Sequence, residues 1–276
     1  MSGSYAQRFL NLLLYGNVWI AVCAAATVLL TEWRWYGALE LNAFNGFVFF
    51  STWSLYCLHR IVGMNRVRAF RAEGRYRIIH RFRRHIIFYA VVAALAAVWC
   101  FFSFPPKLQR WTLAPALVSV GYVVPVLRGK RLRDFDFWKI FLVAAAFAWV
   151  SVTLPHQFHE RPGFPSGWML LEKFLFIFAI TIPFDIRDLR VDRHTQVRTL
   201  PALLGIRRSR WLALALLVLS TLVYLGGSPV WSGGLLLANG LTATLIWRAG
   251  RETEDAYFTG FLDGTMVLQL IGTLLW

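Results

Sequence analysis

Residues 86–104 read IIFYAVVAALAAVWCFFSF, a stretch without a single charged side chain. A helix of a water-soluble protein is apolar along one stripe, whereas this stretch is apolar on nearly every face. Its length matches the roughly 20 residues that a helix needs to cross the hydrocarbon core of a bilayer. Residues 9–30, 41–58 and 211–227 have the same character. The sequence therefore predicts an integral membrane protein.

The composition excludes an ordinary water-soluble protein. Of 276 residues, 58% are hydrophobic and 16% are charged, and the mean hydropathy is +0.53. So few charges could not cover the surface of a soluble domain of this length. We predict an all-α membrane protein, a bundle of nine transmembrane helices, in which residues 1–276 form a single polytopic membrane domain. The predicted spans are residues 9–30, 41–58, 86–104, 111–127, 138–154, 168–184, 211–227, 229–247 and 257–276.

The basic residues indicate the orientation in the membrane. Most of the 29 Lys and Arg residues lie in alternate connections, at residues 60–84, 128–139, 187–210 and 248–251. Loops rich in Lys and Arg stay in the cytoplasm. We therefore expect the N-terminus in the cytoplasm and the C-terminus on the outer side, in the inner membrane of a bacterium. The net charge of +15 then reflects this topology and contact with anionic membrane lipids, and we expect no nucleic-acid partner.

Three aspartates stand together in residues 183–192, PFDIRDLRVD. The spacing of Asp185, Asp188 and Asp192 places their carboxylates on one face of a helix. Carboxylates so close together repel unless a cation compensates them, and Mg²⁺ prefers such oxygen ligands. Nearby arginines could neutralise them instead, so the residues alone leave both interpretations open. The position at the cytoplasmic mouth of the bundle favours a site for a phosphorylated substrate with an apolar tail.

Residues 185–205 resemble the second aspartate motif of the UbiA-type intramembrane prenyltransferases. In that motif DxxDxxxD is followed by Thr-Leu-Pro, here residues 199–201, and Leu-Gly, here residues 204–205. Tyr122 and Pro125, followed by Lys130 and Arg131, resemble the Tyr…Lys element of the same family. The resemblance implies a helical bundle around a central lipid-facing cavity. It also implies that Mg²⁺ binds the diphosphate of a prenyl donor and that a lipophilic acceptor captures the resulting allylic cation.

The resemblance, together with the charge placement, assigns candidate roles. Asp185, Asp188 and Asp192 are predicted to bind Mg²⁺ and to be catalytic, and Tyr122 is predicted to be catalytic. The predicted substrate-binding residues are Arg60, Lys130, Arg131, Arg198, His59 and Asn17. Asp263, inside the last predicted span, is either a functional group or a residue that locks helices together.

The first aspartate motif of the family is missing. It belongs at the cytoplasmic end of the second span, where residues 51–65 read STWSLYCLHRIVGMN and contain no carboxylate. Our leading hypothesis is a prenyltransferase in which Arg60 and neighbouring arginines replace part of the metal, because arginine binds phosphate bidentately. The alternatives are a related terpene cyclase, whose cation aromatic rings would stabilise, and a non-catalytic prenyl-lipid-binding relative. The sequence specifies neither the acceptor nor the oligomeric state.

Overall fold

A computed structural model describes residues 13–37, 39–64, 74–126, 129–228, 230–250 and 253–275. Within these ranges the chain is predominantly helical and contains no β-strand. The start of the first predicted span (residues 9–12), the end of the last one (residue 276) and the loop arginines Arg66, Arg68 and Arg71 lie outside the described residues. The helices are α1 (Val18–Tyr36), α2 (Ala43–Gly63), α3 (Gly74–Arg81), α4 (Arg83–Phe102), α5 (Pro106–Val123), α6 (Trp138–Phe158), α7 (Gly167–His194), α8 (Leu200–Leu204), α9 (Ile206–Gly227), α10 (Gly233–Arg248) and α11 (Tyr257–Leu275).

The predicted membrane fold is confirmed. Nine helices of the described chain are 16 residues or longer, and each overlaps one predicted span in order. Five of them, α1, α4, α6, α9 and α11, are both long enough and apolar enough to cross a membrane. The number of nine membrane crossings therefore stays a prediction.

The bundle exposes apolar side chains on its outside, as a protein solvated by lipid does. On α4, Leu95, Trp99 and Phe102 are 66%, 82% and 72% exposed. The core lies around α7, which packs between α6 and α9 and buries Ile177 and Ile180. Because α7 is central, the side chains at its end reach into the middle of the bundle.

Helix α7 is longer than the span predicted at residues 168–184. It has 28 residues and continues through Pro183 to His194, so all three aspartates belong to the same helix. A proline inside a helix removes one backbone hydrogen bond. The helix nevertheless continues, because Ile186 and Leu189 beyond the proline are buried.

A buried ion pair fixes the opposite end of the bundle. The Arg34 guanidinium donates two hydrogen bonds to the Glu172 carboxylate, at 2.8 and 2.9 Å, and a third to Ser228 Oγ at 2.9 Å. Paired, hydrogen-bonded charges are tolerated in a low-dielectric interior far better than single ones. This contact joins α1, α7 and the end of α9 on the side predicted to be outside.

Candidate active site

A cavity of about 260 Å³ opens at the end of the bundle that carries the basic loops. Helices α1, α2, α3, α5, α6, α7 and α11 and the segment before α6 contribute to its wall. The basic side chains on the wall are Arg60, Arg75, Arg131, Arg133, Lys139 and Arg187, and the acidic ones are Asp134, Asp185, Asp188, Asp192, Asp255 and Asp263. Such a density of charge in a membrane protein marks a functional site.

A break in the chain just before α1 shapes one wall. Asn17 adopts a left-handed conformation, with φ of 61°, which asparagine tolerates better than most residues. Two carbonyl groups freed by the break are bound from α2. Leu14 O accepts a hydrogen bond from Arg60 Nη2 at 3.2 Å, and Gly16 O accepts one from Trp53 Nε1 at 2.7 Å. These contacts hold Asn17 and Arg60 at the cavity wall.

The aspartate triad converges on a lysine. Lys139, in the first turn of α6, places its Nζ 2.8 Å from Asp185 Oδ1 and 3.1 Å from Asp192 Oδ2. Asp188 Oδ2 lies farther away, at 3.9 Å. The ammonium group therefore occupies the point towards which the carboxylates of α7 are directed.

Asp188 is held by two arginines. Its Oδ1 accepts from Arg75 Nη2 and from Arg187 Nε, both at 2.8 Å. The same guanidinium groups lie 3.1 and 3.7 Å from Asp255 Oδ1, which links α3 and α7 to the start of α11. Asp188 thus holds the guanidinium groups of Arg75 and Arg187 side by side on the cavity wall.

Asp188 and Asp192 lie beyond the predicted end of the sixth span, and their pKa values shift in opposite directions. Burial raises the pKa of Asp192 to about 6, although the ammonium of Lys139 opposes the shift. Burial acts on Asp188 in the same direction, but the guanidinium groups of Arg187 and Arg75 outweigh it and hold the pKa of Asp188 well below its usual value. Asp188 is therefore ionised throughout the physiological pH range.

Two arginines on the wall have no carboxylate partner among the described residues. Arg133 contacts the His59 ring, and its guanidinium carbon lies 5.3 Å from the centroid of Tyr122. Arg60 has a buried Nη1 without a hydrogen-bond partner. Both guanidinium groups therefore have donors available for a ligand.

The cavity contains eight of the ten residues predicted from the sequence. His59 and its neighbour Arg60 both line the cavity, because the wall wraps around the end of α2. The other two predicted substrate-binding residues, Lys130 and Arg198, are exposed and lie outside the cavity. Those inside are Asn17, His59, Arg60, Tyr122, Arg131, Asp185, Asp188 and Asp192.

The structure adds residues that the motifs did not identify. Lys139, Arg133 and Arg75 each hold a central position, but the sequence shows them only as members of basic loops. Lys139 alone had a usable signal, since it is a single charge at the start of the apolar run 140–150. A lysine at the edge of a span is commonly an interfacial anchor. The position of Lys139 in the sequence therefore does not distinguish an anchor from a residue of the site.

The triad does not fit a divalent cation in this arrangement. Within the described part of the chain, no three His, Cys, Asp or Glu side chains are placed to hold a metal ion. Asp185 and Asp192 are directed at Lys139, and Asp188 is directed at Arg75 and Arg187. The three carboxylates already have cationic partners within the chain.

An apolar pocket of about 130 Å³ adjoins the charged cavity. It lies between α2, α5 and α6, and its wall includes Val118, Leu142 and Phe147. Tyr56, His59, Tyr122 and Val143 line both spaces. A charged compartment beside an apolar one suits an amphiphilic ligand.

Asp263 lines the cavity deeper in the bundle. It follows a π-helical turn, Tyr257–Leu262, whose Gly260 carbonyl accepts a hydrogen bond from Trp19 Nε1 at 3.0 Å. π-helical turns are frequent at functional sites. No ion pair of Asp263 is found among the described residues, and its role stays a prediction.

The sequence matches the model of one protein family. The sequence model described as the UbiA prenyltransferase family matches residues 80–262. No curated protein sequence matches the chain.

Solved structures share the fold along the whole chain. A UbiA homologue from Archaeoglobus fulgidus bound to GPP and Mg²⁺ has a TM-score of 0.65 at 11% identity, covering 96% of this chain and 98% of that one. The same homologue bound to DMAPP and Mg²⁺ gives 0.63 at 10% identity, covering 96% and 97%. A structure of digeranylgeranylglyceryl phosphate synthase gives 0.56 at 14% identity, covering 98% of each chain.

Proposed function

The chain belongs to the UbiA prenyltransferase family, and from this membership we propose that it is an intramembrane enzyme that transfers a prenyl group from a prenyl diphosphate to a lipophilic acceptor. The observation that carries the proposal is the charged cavity joined to an apolar pocket through His59 and Tyr122. A prenyl diphosphate has the matching form, an anionic head on an apolar tail. The A. fulgidus homologue was solved with two such molecules, GPP and DMAPP.

In the proposed reaction the arginines bind the diphosphate. Arg60 and Arg133 offer donors that no described carboxylate occupies, and guanidinium groups bind phosphate oxygens bidentately. The bond between the allylic carbon and the bridging oxygen breaks, and its electron pair leaves with the diphosphate. Fixed cations around the leaving group stabilise the charge that develops on it.

Aromatic rings face the cation that remains. Tyr56 and Tyr122 lie where the charged cavity meets the apolar pocket. The negative face of an aromatic ring stabilises a cation. A nucleophilic atom of the acceptor then forms the new bond to the allylic carbon and loses a proton. Asp263, on the wall of the same cavity, is the carboxyl group that we propose accepts this proton.

The triad has a positioning role in this proposal. Asp185 and Asp192 fix Lys139, and Asp188 fixes Arg75 and Arg187. Mg²⁺, predicted from the family resemblance and bound in the A. fulgidus structures, stays a prediction for this chain. Because the triad in its present arrangement does not fit the ion, no step above depends on a metal.

Pyrophosphate release tests the proposal. Purified protein in lipid, given C10 to C20 prenyl diphosphates and a membrane-lipid extract as acceptor source, should release pyrophosphate and yield a prenylated lipid. Asp188→Asn should lower the rate by about tenfold or more, since Arg75 and Arg187 lose the charge that orients them. Asp136→Asn is the matched control, because Asp136 is exposed and its partner among the described residues is Arg198, through the backbone N–H and, at 4.0 Å, the side chain.

The same assay separates the alternatives. Release without acceptor, giving a hydrocarbon or an alcohol, would identify a terpene cyclase. Tight binding without release under any condition would identify a prenyl-lipid-binding protein. Either result contradicts prenyl transfer.

A further inference from the structure

The geometry around Lys139 resembles a filled cation site. Lys139, Asp185 and Asp192 are 7%, 1% and 5% exposed, so they interact in a low-dielectric environment. Lys139 Nζ donates a charge-assisted hydrogen bond to Asp192 Oδ2 at 3.1 Å and forms an ion pair with Asp185 Oδ1 at 2.8 Å. An ammonium group has three donors and no acceptor, so it is a suitable partner for converging carboxylates.

A divalent ion and the ammonium group could not share this position. Mg²⁺ requires oxygen ligands at about 2.0–2.1 Å and near-octahedral geometry. An ion bridging Asp185 and Asp192 would lie almost on top of Lys139 Nζ and would be repelled by it. Displacing Lys139 would break two buried ion pairs and leave a cation unpaired, which is costly in a protein interior.

The remaining acidic positions are also accounted for. Asp188 is paired with Arg75 and Arg187, and the end of α2 carries His59 and Arg60 where the family places carboxylates. Both the triad on α7 and the end of α2 thus have basic side chains where metal ions would be expected.

We propose that Lys139 takes the place of the divalent cation at the aspartate triad, so that this chain binds its prenyl diphosphate without a metal ion. The inference rests on the proposed function, since it concerns how the same diphosphate is held. The lysine ammonium supplies one fixed positive charge at the triad, and Arg60 and Arg133 supply the bidentate contacts to phosphate oxygens.

A binding titration tests the inference without turnover. Geranyl thiolodiphosphate, an analogue whose carbon–sulfur bond resists ionisation, is titrated calorimetrically into the protein in nanodiscs, with EDTA and separately with Mg²⁺. We expect dissociation constants that agree within about twofold, because Lys139 and the arginines provide the counter-charge in both buffers. Binding weakened by about tenfold or more in EDTA, equivalent to about 1.4 kcal/mol, would overturn the inference and leave the proposed function intact.

Two lysine variants provide a matched pair. Lys139→Met removes the ammonium group and keeps the length of the side chain. It should weaken binding in EDTA by about tenfold or more and regain affinity when Mg²⁺ is added, since the triad is then free to hold an ion. Lys173→Met removes another buried lysine, next to Glu172 at the opposite end of the bundle. The affinity of this variant for the analogue should be the same with EDTA and with Mg²⁺. Equal, metal-indifferent affinity in wild type and Lys139→Met would overturn the role of Lys139.

A direct metal probe does not depend on any variant. Electron paramagnetic resonance of Mn²⁺ added to the wild-type protein, without prenyl diphosphate, should show no saturable site at micromolar concentration. A single stoichiometric Mn²⁺ site that Asp185→Asn removes would overturn the inference. Failure of the analogue to bind with EDTA and also with Mg²⁺ would instead contradict the proposed function, and the inference would fall with it.

Discussion

Arg60 and Arg198 have opposite surroundings. Arg60 lies on the cavity wall with a buried Nη1 that lacks a hydrogen-bond partner, whereas the Arg198 side chain is 81% exposed and outside the cavity. We expect Arg60→Met to weaken binding of the thiolodiphosphate analogue by about tenfold or more, and Arg198→Met to change it by less than about twofold.

Calorimetric titration of both variants provides the measurement. Since Arg60 also binds the Leu14 carbonyl, the unfolding midpoint of each variant shows whether the fold survives. A comparable loss of affinity in the two variants would contradict the position of the diphosphate that we propose.

The residues of the site differ in how far the sequence reveals them. The triad is visible because its spacing puts three rare acids on one helical face. Lys139 is not visible as its partner, because 46 positions separate it from Asp185 and only the packing of α6 against α7 brings the two together. Lys130 and Arg198 lie outside the cavity although they stand near motifs in the sequence, because proximity to a motif does not determine which way a loop side chain points.

At the scale of elements, the contact between α10 and α11 depends on two glycines. A Cβ on Gly234 would overlap the Gly272 carbonyl group, whereas a Cβ on Gly240, in the same helix, would have no atom within 4 Å. Small residues allow helix backbones to approach closely in membranes.

We expect Gly234→Ala to lower the free energy of unfolding by about 1–3 kcal/mol, because the helices must move apart. Gly240→Ala should leave it unchanged or raise it by up to about 1 kcal/mol, because alanine favours the helix. Unfolding in detergent, followed by circular dichroism, measures both. Equal effects would show that the backbones do not meet at Gly234.

The bounds of the elements were less predictable than their existence. Long apolar runs predict helices reliably, since lipid leaves the backbone no other partner for its hydrogen bonds. The end of α7 could not be placed this way, because the apolar run of the predicted span ends at residue 184 and α7 continues through charged residues to His194. Burial of Ile186 and Leu189 against the rest of the bundle decides its length, and burial is a property of the packed chain.

At the scale of the whole molecule, the distribution of basic residues predicts a fixed orientation. Trp231, in the connection between α9 and α10, is 67% exposed and should face the outside, whereas the exposed Arg198 should face the cytoplasm. A membrane-impermeant maleimide applied to intact cells should label Trp231→Cys, and it should label Arg198→Cys only after lysis.

The background for this labelling includes three natural thiols. Cys23 and Cys57 are buried, and the partly exposed Cys100 is replaced by serine in both variants. Labelling of Arg198→Cys in intact cells would reverse the predicted topology and move the charged cavity to the other side of the membrane.

The pairing of Lys139 with the triad also bears on how the protein is made. A helix end carrying three carboxylates is difficult to bury while the chain is inserted into the membrane, unless their charge is compensated. For Asp185 and Asp192 the compensating group is Lys139, which belongs to the helix before α7 and is in place as soon as α6 and α7 dock. Biogenesis then needs no ion to be delivered, and cells depleted of divalent metals should still accumulate the mature, folded protein.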